Sequence, residues 1–199
     1  MNENLKLVPE TDLILKQRCQ EFDFDNPAFD PKQFAESLYT TMTKCNGLGL
    51  SANQVGVPYR IFAIRIDADP LVLFNPQIVD QSEETILLDE GCLSFPLLYM
   101  KIKRPDWIRI RFQTFDGQTY TEKYGGMTAR VILHEYDHME GITFKERASK
   151  FALDRAIRKQ TILKRARKKA NVVYHKLTKP DGTLHIVPQI EETWYEKDE

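Results

Sequence analysis

The sequence His134-Glu135-Tyr136-Asp137-His138 lies within a stretch, from about Met127 to Met139, that we predict to be a helix packed among strands. Four residues of helix turn the chain through about 400°, so both imidazoles lie on one face, roughly 6 Å apart along the axis. Such a pair can bind one metal ion, and Glu135 beside it can take a proton from a water whose pKa the metal lowers. The stretch therefore predicts a metal site for hydrolysis. The alternative is an amphipathic helix with solvated His and Glu.

Two histidines do not complete a metal site, so a third ligand must come from another part of the chain. One class of zinc peptidases has a histidine six residues beyond the second, after a glycine turn. Here Gly141 fits the turn, but Phe144 occupies the ligand position. Cys92 is the better candidate, because Gly91 permits an unusual backbone turn and a thiolate binds metals well. A lone cysteine can equally be a small buried residue.

Three short segments, taken in order, carry a family pattern. They are Gly47-Leu48-Gly49-Leu50-Ser51-Ala52-Asn53-Gln54, Glu90-Gly91-Cys92-Leu93-Ser94 and His134-Glu135-Tyr136-Asp137-His138. Together they resemble the motifs of peptide deformylases, which are Gly-x-Gly-x-Ala-Ala-x-Gln, Glu-Gly-Cys-x-Ser and His-Glu-x-x-His. Ser51 stands where the pattern has its first alanine, a small-for-small change, and the other defining positions match. The resemblance extends from about Leu5 to about Lys169.

The resemblance implies the chemistry of the site. It makes Cys92, His134 and His138 the metal ligands, and it makes Glu135 the general base and acid. An activated water would attack the formyl carbon of an N-formylmethionyl peptide, and formate would leave. The side-chain amide of Gln54 and the backbone N–H of Leu93 would stabilise the charge that develops on the formyl oxygen.

The resemblance also implies how the peptide binds. Backbone groups of Leu48, Gly49 and Gly91 would pair with the substrate as an added strand. Leu48 and Met127 would help to form an apolar pocket for the methionine side chain. Arg130 lies where many family members have an aliphatic residue. We expect its stem to cover the pocket wall while its charge reaches solvent, or else a more polar pocket mouth.

The identity of the metal does not follow from the ligands alone. Two imidazoles and a thiolate suit zinc, which binds such sites more tightly than ferrous iron. Family members typically work with Fe(II), and nickel, cobalt or zinc can substitute. The resemblance therefore implies one divalent ion, iron in the first place. It also suggests that Asp137 supports the site through an ion pair with Arg104.

The periodicity of the remaining chain predicts an α+β fold, with mixed or antiparallel strands packed around the central helix. Apolar residues at helical spacing predict a helix from Pro31 to about Cys45. Alternating patterns predict strands at Ile61 to Ile66 and at Leu71 to Phe74. Two further strands, Ile108 to Phe115 and Gln118 to Lys123, flank Asp116-Gly117, which is a strong hairpin signal.

Composition is that of an ordinary globular protein, with 199 residues, 42% hydrophobic content and a formal net charge of −1. No apolar run approaches the length of a membrane span, and the polar start lacks the core of a signal peptide. Cys19, Cys45 and Cys92 form no disulfide pattern, which favours a reducing compartment. We predict that Cys19 and Cys45 are structural. We expect a bacterial or phage-infected cytoplasm or an organelle matrix, without secretion and without membrane or DNA partners.

The C-terminal part is the least explained. Residues 150–169 predict a basic helix that ends a catalytic domain of residues 1–169, and residues 170–199 form an extension of unknown role. The extension suggests a hairpin around Asp181-Gly182, and we expect its histidines, His175 and His185, on the surface. In some family members such a helix docks on ribosomal RNA, whereas a solvated face is the simpler interpretation. Besides a deformylase, a zinc endopeptidase and a non-catalytic ribosome- or RNA-binding relative remain open at this stage.

Overall fold

The computed structural model describes residues 5–66, 69–170, 172–178 and 184–190. In these ranges the helices are α1 (Pro31–Lys44), α2 (Gly126–Met139), α3 (Phe144–Arg147) and α4 (Lys150–Ala170). The strands are β1 (Gly49–Ser51), β2 (Ile61–Ile66), β3 (Asp69–Gln81), β4 (Thr85–Cys92), β5 (Phe95–Pro105), β6 (Trp107–Gln113), β7 (Thr119–Gly125), β8 (Val172–Thr178) and β9 (Leu184–Ile190). The predicted α+β class is confirmed.

The strands form three antiparallel sheets. The largest has the order β1-β2-β3-β6-β7, while β4 pairs with β5 and β8 pairs with β9. Asp116 and Gly117 lie in the turn between β6 and β7, as their sequence predicts, and Gly117 has a positive φ of 79°. Strand β2 has the predicted bounds, whereas β3 extends well beyond the predicted Leu71 to Phe74.

Helix α2 packs its apolar face on the large sheet. The buried residues at this contact are Ala129, Ile132 and Met139 of the helix and Phe62, Ile64, Ile108 and Ile110 of the strands. Fully burying an isoleucine, methionine or phenylalanine side chain contributes about 1.5–3 kcal/mol. This packing holds one side of the helix firmly on the large sheet, while its opposite side faces the β4–β5 hairpin. Gly141, with a φ of 71°, follows the end of α2, as predicted.

Local capping explains where α1 begins. Asp30 accepts hydrogen bonds from the backbone N–H groups of Lys32 and Gln33, at 2.9 and 3.1 Å, and Pro31 occupies the first helical turn. The helix ends at Lys44, one residue before the predicted end at Cys45. The chain then enters β1, so α1 delivers the glycine-rich segment to the edge of the large sheet.

Helix α4 lies against the β4–β5 hairpin. Ala156 and Leu153 pack in one cluster with Leu98 and Met100 of β5, and the Gln160 side chain donates to the Pro96 carbonyl at 2.8 Å. These residues recur at helical spacing, so they form one buried face. The predicted basic helix is therefore present, and its remaining faces are exposed through residue 168.

Cys19 is buried in the core, where burial raises the pKa of its thiol to about 11. Cys45 is half-buried at the end of α1. In the part of the chain that the structure describes, no helix is both long enough and apolar enough to span a membrane. The Asp181-Gly182 turn, the side chains of His175 and His185 and the acidic residues 191–199 lie outside the described residues.

Candidate active site

The three predicted ligands come together between α2 and the end of β4. Their ligand atoms, the Cys92 thiol and one nitrogen each of His134 and His138, lie within 4.8 Å of one another. Cys92 Sγ is 3.4 Å from His138 Nε2. Tetrahedral coordination with metal–sulfur and metal–nitrogen bonds of about 2.3 and 2.1 Å needs ligand atoms about 3.5 Å apart. The donor set and its spacing therefore fit one divalent metal ion.

Burial and neighbouring groups set the protonation of the two imidazoles. Burial lowers the pKa of His138 well below its usual value, so its Nε2 is a neutral ligand atom. Burial also disfavours charge on His134, but hydrogen bonds with Cys92 and Glu90 outweigh it and raise the pKa of His134 to about 10. Because an imidazole binds a metal in its neutral form, metal binding here would be coupled to proton release.

Glu90 orients the first histidine. His134 Nδ1 donates to Glu90 Oε2 at 3.0 Å, which leaves Nε2 for the metal. Arg104 holds the same carboxylate with Nε at 2.7 Å and Nη2 at 2.9 Å. Burial raises the pKa of Glu90, but the hydrogen bonds with His134 and Arg104 lower it to about 2. Sequence reasoning did not assign this role, although Glu90 opens the Glu-Gly-Cys segment.

Asp137 ties the helix to the neighbouring strand. Arg104 Nη1 donates to Asp137 Oδ2 at 2.7 Å, which confirms the predicted ion pair. Arg147 Nε donates to the same oxygen at 3.0 Å, and its Nη2 bonds the other one. Since Arg104 also bonds Glu90, one buried guanidinium links Asp137 of the helix with the carboxylate that orients His134.

Arg130 differs from the expectation that its charge reaches solvent. Its side chain is only 5% exposed, and Nη1 donates to Glu90 Oε1 at 2.7 Å. The same group donates to the Ile102 carbonyl at 3.0 Å, and Nη2 donates to the Ile86 carbonyl at 2.6 Å. The expectation is wrong because a buried carboxylate and two carbonyls satisfy the guanidinium inside the protein. Arg130 nevertheless lines the cavity beside the site.

Glu135 is fully inside the protein, and burial raises its pKa. Its Oε2 accepts a hydrogen bond from the Ser51 hydroxyl at 2.5 Å. Its Oε1 lies over the Cα of Gly49, where a Cβ atom would overlap it. The carboxylate is therefore enclosed by two residues of the glycine-rich segment, at the wall of the cavity.

Gly49→Ala should disable the site without removing the metal ligands. The new methyl group would overlap Oε1 and also the Cγ and Cδ of Glu135, at 2.8 and 2.9 Å, so the carboxylate must move. We expect kcat to fall by about a hundredfold, since small displacements of a catalytic group cost rates of this order. Gly125→Ala is the matched control, because its nearest neighbours would be 3.9 Å away. Equal kcat values for the two variants would show that Glu135 tolerates displacement.

Gln54 lies in a 3-10 turn, Ala52–Val55, directly after β1. The Ser51 backbone N–H donates to Gln54 Oε1 at 2.8 Å, which fixes the amide group. Gln54 Nε2 then points to the site, donating to Ser94 Oγ at 3.0 Å and lying 3.4 Å from Cys92 Sγ. Leu93 lines the same cavity at the turn between β4 and β5. Both predicted donors thus lie beside Cys92.

A cavity of about 480 Å³ opens next to these residues. Leu48 and Met127 lie on its rim and expose 47% and 56% of their surface, so they offer apolar surface to a ligand in the cavity. Tyr99 covers Gly91 so closely that a Cβ there would meet its ring at 2.6 Å. The rim is therefore an apolar surface around a polar centre, as in small-molecule and peptide sites.

Two strand edges border the cavity. Strand β1, with Gly49, is the edge strand of the five-stranded sheet and pairs on one side with β2. Gly91 lies near the end of β4, whose partner among the described strands is β5. Among the described residues, β1 and β4 each pair with one strand only, so each offers one edge to an extended peptide.

Phe144 occupies the position at which one class of zinc peptidases has its third histidine ligand. It is buried, and its ring centroid lies 5.6 Å from that of His134. The residue therefore packs against the first histidine and supports it from the side of α3. Cys92 instead lies within reach of both histidines and could supply the third donor.

Comparison with known proteins agrees with this geometry. Residues 4–153 match the model of the polypeptide deformylase family. A peptide deformylase of Novosphingobium aromaticivorans is 35% identical over 159 residues, covering 68% of this chain and 85% of the relative. The crystal structure of the Synechococcus elongatus peptide deformylase in complex with actinonin has 29% identity and a TM-score of 0.74, covering 81% of this chain and 88% of that one. The Thermotoga maritima peptide deformylase has 31% identity and a TM-score of 0.71, covering 74% and 99%. The residues matched by the family model include Cys92, His134 and His138, and the chain belongs to the polypeptide deformylase family of enzymes.

Proposed function

We propose that this chain removes the formyl group from N-formylmethionyl peptides at the centre formed by Cys92, His134 and His138. The observation that carries the proposal is the convergence of the three ligand atoms with the Glu135 carboxylate and the Gln54 amide at one cavity. The endopeptidase and the non-catalytic relative find no support, since the relatives named above are all peptide deformylases.

The reaction needs one proton to be moved twice. Cys92, His134 and His138 would hold a divalent cation, which when bound would lower the pKa of a water and polarise a carbonyl oxygen. Glu135 takes the proton of the attacking water while the water oxygen bonds to the formyl carbon. When the carbon–nitrogen bond breaks, Glu135 delivers that proton to the amine nitrogen. The products are formate and a peptide with a free amino terminus.

Charge that develops on the formyl oxygen needs donors that are already in place. We assign this role to Gln54 Nε2 and to the Leu93 backbone N–H. The Ser51 N–H fixes Gln54 through its Oε1, so the amide does not need to turn during the reaction. Losing one such preorganised donor typically costs about 3–4 kcal/mol of barrier height.

The peptide itself is expected to lie between the two strand edges. Backbone groups of Leu48, Gly49 and Gly91 are the proposed pairing partners, because they border the cavity at β1 and β4. Leu48 and Met127 supply apolar surface for the methionine side chain, and the Arg130 stem supplies part of the wall. Recognition of this kind reads the peptide backbone and leaves later side chains loosely specified.

Fe(II) is the metal that we propose, with nickel, cobalt or zinc as substitutes. The cysteine and histidine donors accept any of these ions. A site with a metal-bound thiolate is best maintained in a reducing compartment, so we place the protein in a cytoplasm or an organelle matrix. A related protein of Arabidopsis thaliana is described as chloroplastic/mitochondrial.

The direct test is anaerobic assay of formate release from formyl-Met-Ala-Ser by iron-loaded protein. Acetyl-Met-Ala-Ser is the matched control, because its acyl group carries one extra methyl. We expect stoichiometric formate and free Met-Ala-Ser from the first peptide only. Cleavage of a peptide bond without formate would favour the endopeptidase, and binding without turnover would favour the non-catalytic relative.

We also propose that α4 docks on ribosomal RNA. Arg155, Arg158, Lys159, Lys164, Arg165 and Lys168 are exposed on this helix. The buried face around Ala156 and Gln160 leaves these cations outward, where phosphate groups can reach them. We propose that the catalytic domain, with this helix at its end, spans residues 1–169 and that residues 170–199 are an extension.

Charge removal on α4 tests the docking proposal. Arg158, Lys159 and Arg165, all changed to Gln, should weaken co-sedimentation with ribosomes. The slope of log affinity against log salt should also fall by roughly 0.7–0.9 for each phosphate that the variant no longer neutralises. The control changes the exposed Lys101, Lys103 and Arg109 to Gln, which removes the same charge elsewhere. Equal ribosome affinity for both variants would contradict docking through α4.

A further inference from the structure

Ser51 contacts two groups of the proposed machinery. It is fully buried at the end of β1, and its hydroxyl donates to Glu135 Oε2 at 2.5 Å. The Glu135 backbone carbonyl also lies 3.2 Å from the same hydroxyl. The Ser51 backbone N–H donates to Gln54 Oε1 at 2.8 Å. Any residue except proline keeps the backbone bond at this position, but the bond to the carboxylate requires a side-chain donor such as the hydroxyl.

The hydroxyl is a feature of this chain and not of the family pattern. That pattern has alanine at the position of Ser51, and the methyl side chain of alanine cannot donate a hydrogen bond to a carboxylate. Placing a hydroxyl in the interior costs free energy unless it is hydrogen-bonded. Here the partner is a carboxylate, and bonds of this type are shorter and stronger than those between neutral groups. The substitution therefore adds a specific contact to Glu135 in addition to filling the space.

The position of this contact restricts how the carboxylate can rotate. The terminal torsion of a glutamate is broad, so its oxygens are poorly fixed without a partner. Gly49 lies under Oε1 and Ser51 holds Oε2, so rotation about that torsion would break the bond to Ser51. The other oxygen, Oε1, then lies next to Gly49, which lines the cavity.

We propose that Ser51 is a positioning residue for the general base: its hydroxyl holds Oε2 of Glu135 and thereby presents Oε1 to the attacking water. The inference rests on the proposed function and deepens it, because it assigns different tasks to the two oxygens of one carboxylate. Ser51 does not touch the substrate. It acts through Glu135, so its removal should change the chemical step and not substrate binding.

Ser51→Ala removes the hydroxyl and restores the residue of the family pattern. We expect kcat for formate release to fall roughly tenfold, which is the effect of losing one hydrogen bond to a charged group in the transition state. KM and the metal content per chain should stay within twofold of the parent protein. Ser37→Ala is the matched control, since Ser37 is a buried serine of α1 remote from the glycine-rich segment in sequence. That variant should keep the parental kcat.

Two outcomes would overturn the inference. A kcat of Ser51→Ala within twofold of the parent would show that Glu135 is positioned without the hydroxyl. A fall in kcat that accompanies a matching loss of bound metal would assign Ser51 a purely structural role. If the parent protein itself releases no formate, the proposed function fails and not merely the role of Ser51.

A measurement of unfolding tests the contact without any turnover. Ser51→Ala, Glu135→Ala and the double variant form a cycle of unfolding equilibrium constants. We expect the effect of Ser51→Ala to be at least about fivefold smaller when Glu135 is absent, because the hydroxyl is then without its carboxylate partner. Equal effects in both backgrounds would contradict the hydrogen bond on which the inference rests.

Discussion

Glu135→Ala should lower kcat for formate release by about a thousandfold, within the range of 10²–10⁴ that general acid–base catalysis supplies. The variant loses the group that takes the water proton and returns it to the leaving amine. Metal content should stay at the parental level, because Glu135 is not among the three ligands. Formate release and metal analysis on the same preparation measure both quantities.

Glu135→Gln controls for the empty space that alanine leaves in a fully buried position. Its amide keeps the shape of the side chain and can still accept a hydrogen bond from Ser51, but it is not a base. Both variants should therefore be equally inactive. A glutamine variant with more than a tenth of the parental kcat would show that the proton passes through another group.

Cys92→Ala should remove the metal itself. Two imidazoles remain, but the thiolate is the charged donor of the set, and three donors hold the ion far better than two. We expect metal content below a tenth of the parental value after dialysis, and activity should fall in proportion. Metal analysis of the purified variant checks this directly.

Cys45→Ala is the matched control for the loss of a thiol. Cys45 lines the same cavity and is also half-buried, but it does not belong to the ligand cluster. That variant should retain both its metal and its activity. Full occupancy in Cys92→Ala, or equal losses in both variants, would point to a different third ligand.

Two parts of the cluster of Cys92, His134 and His138 carry local signals, and the family resemblance joined them. His134 and His138 share a helix face by spacing alone, and the Glu-Gly-Cys segment marks a thiol next to a flexible glycine. The hairpin at Asp116-Gly117 was predictable for the same reason, since Gly117 supplies the positive φ of the turn. Each of these predictions depends on a few adjacent positions.

The hairpin of β4 and β5 was missed because β4 does not alternate, although Leu98, Met100 and Ile102 of β5 alternate with exposed residues. Ile86, Leu87 and Leu88 are consecutive apolar residues, and each remains at least 37% exposed in β4. The turn that follows Cys92 contains no Asn-Gly or Asp-Gly pair, and Leu97 adopts a φ of 64° that no local pattern indicates. These features depend on packing against α2 and α4.

Arg130 and Ser51 show a second limit of prediction from sequence, because their hydrogen-bond partners are distant along the chain. The guanidinium of Arg130 donates hydrogen bonds to Glu90 and to the Ile102 carbonyl, which are 40 and 28 positions away in the sequence. The hydroxyl of Ser51 finds Glu135 at a separation of 84 positions. A local pattern cannot report such partners. The sequence analysis therefore expected either an exposed charge or a more polar pocket mouth at Arg130, and a small-for-small change at Ser51. The fold brings these groups together and gives them their roles.

The central claim is that one metal ion at Cys92, His134 and His138 supports hydrolysis of the formyl group. The most direct measurement is an anaerobic titration of chelator-treated protein with Fe(II), and in parallel with zinc, while formate release is followed. We expect activity that rises linearly and saturates at one ion per chain, with a higher rate per ion for iron. Formate release that is independent of added metal, or a site that fills with one ion and releases no formate, would contradict it.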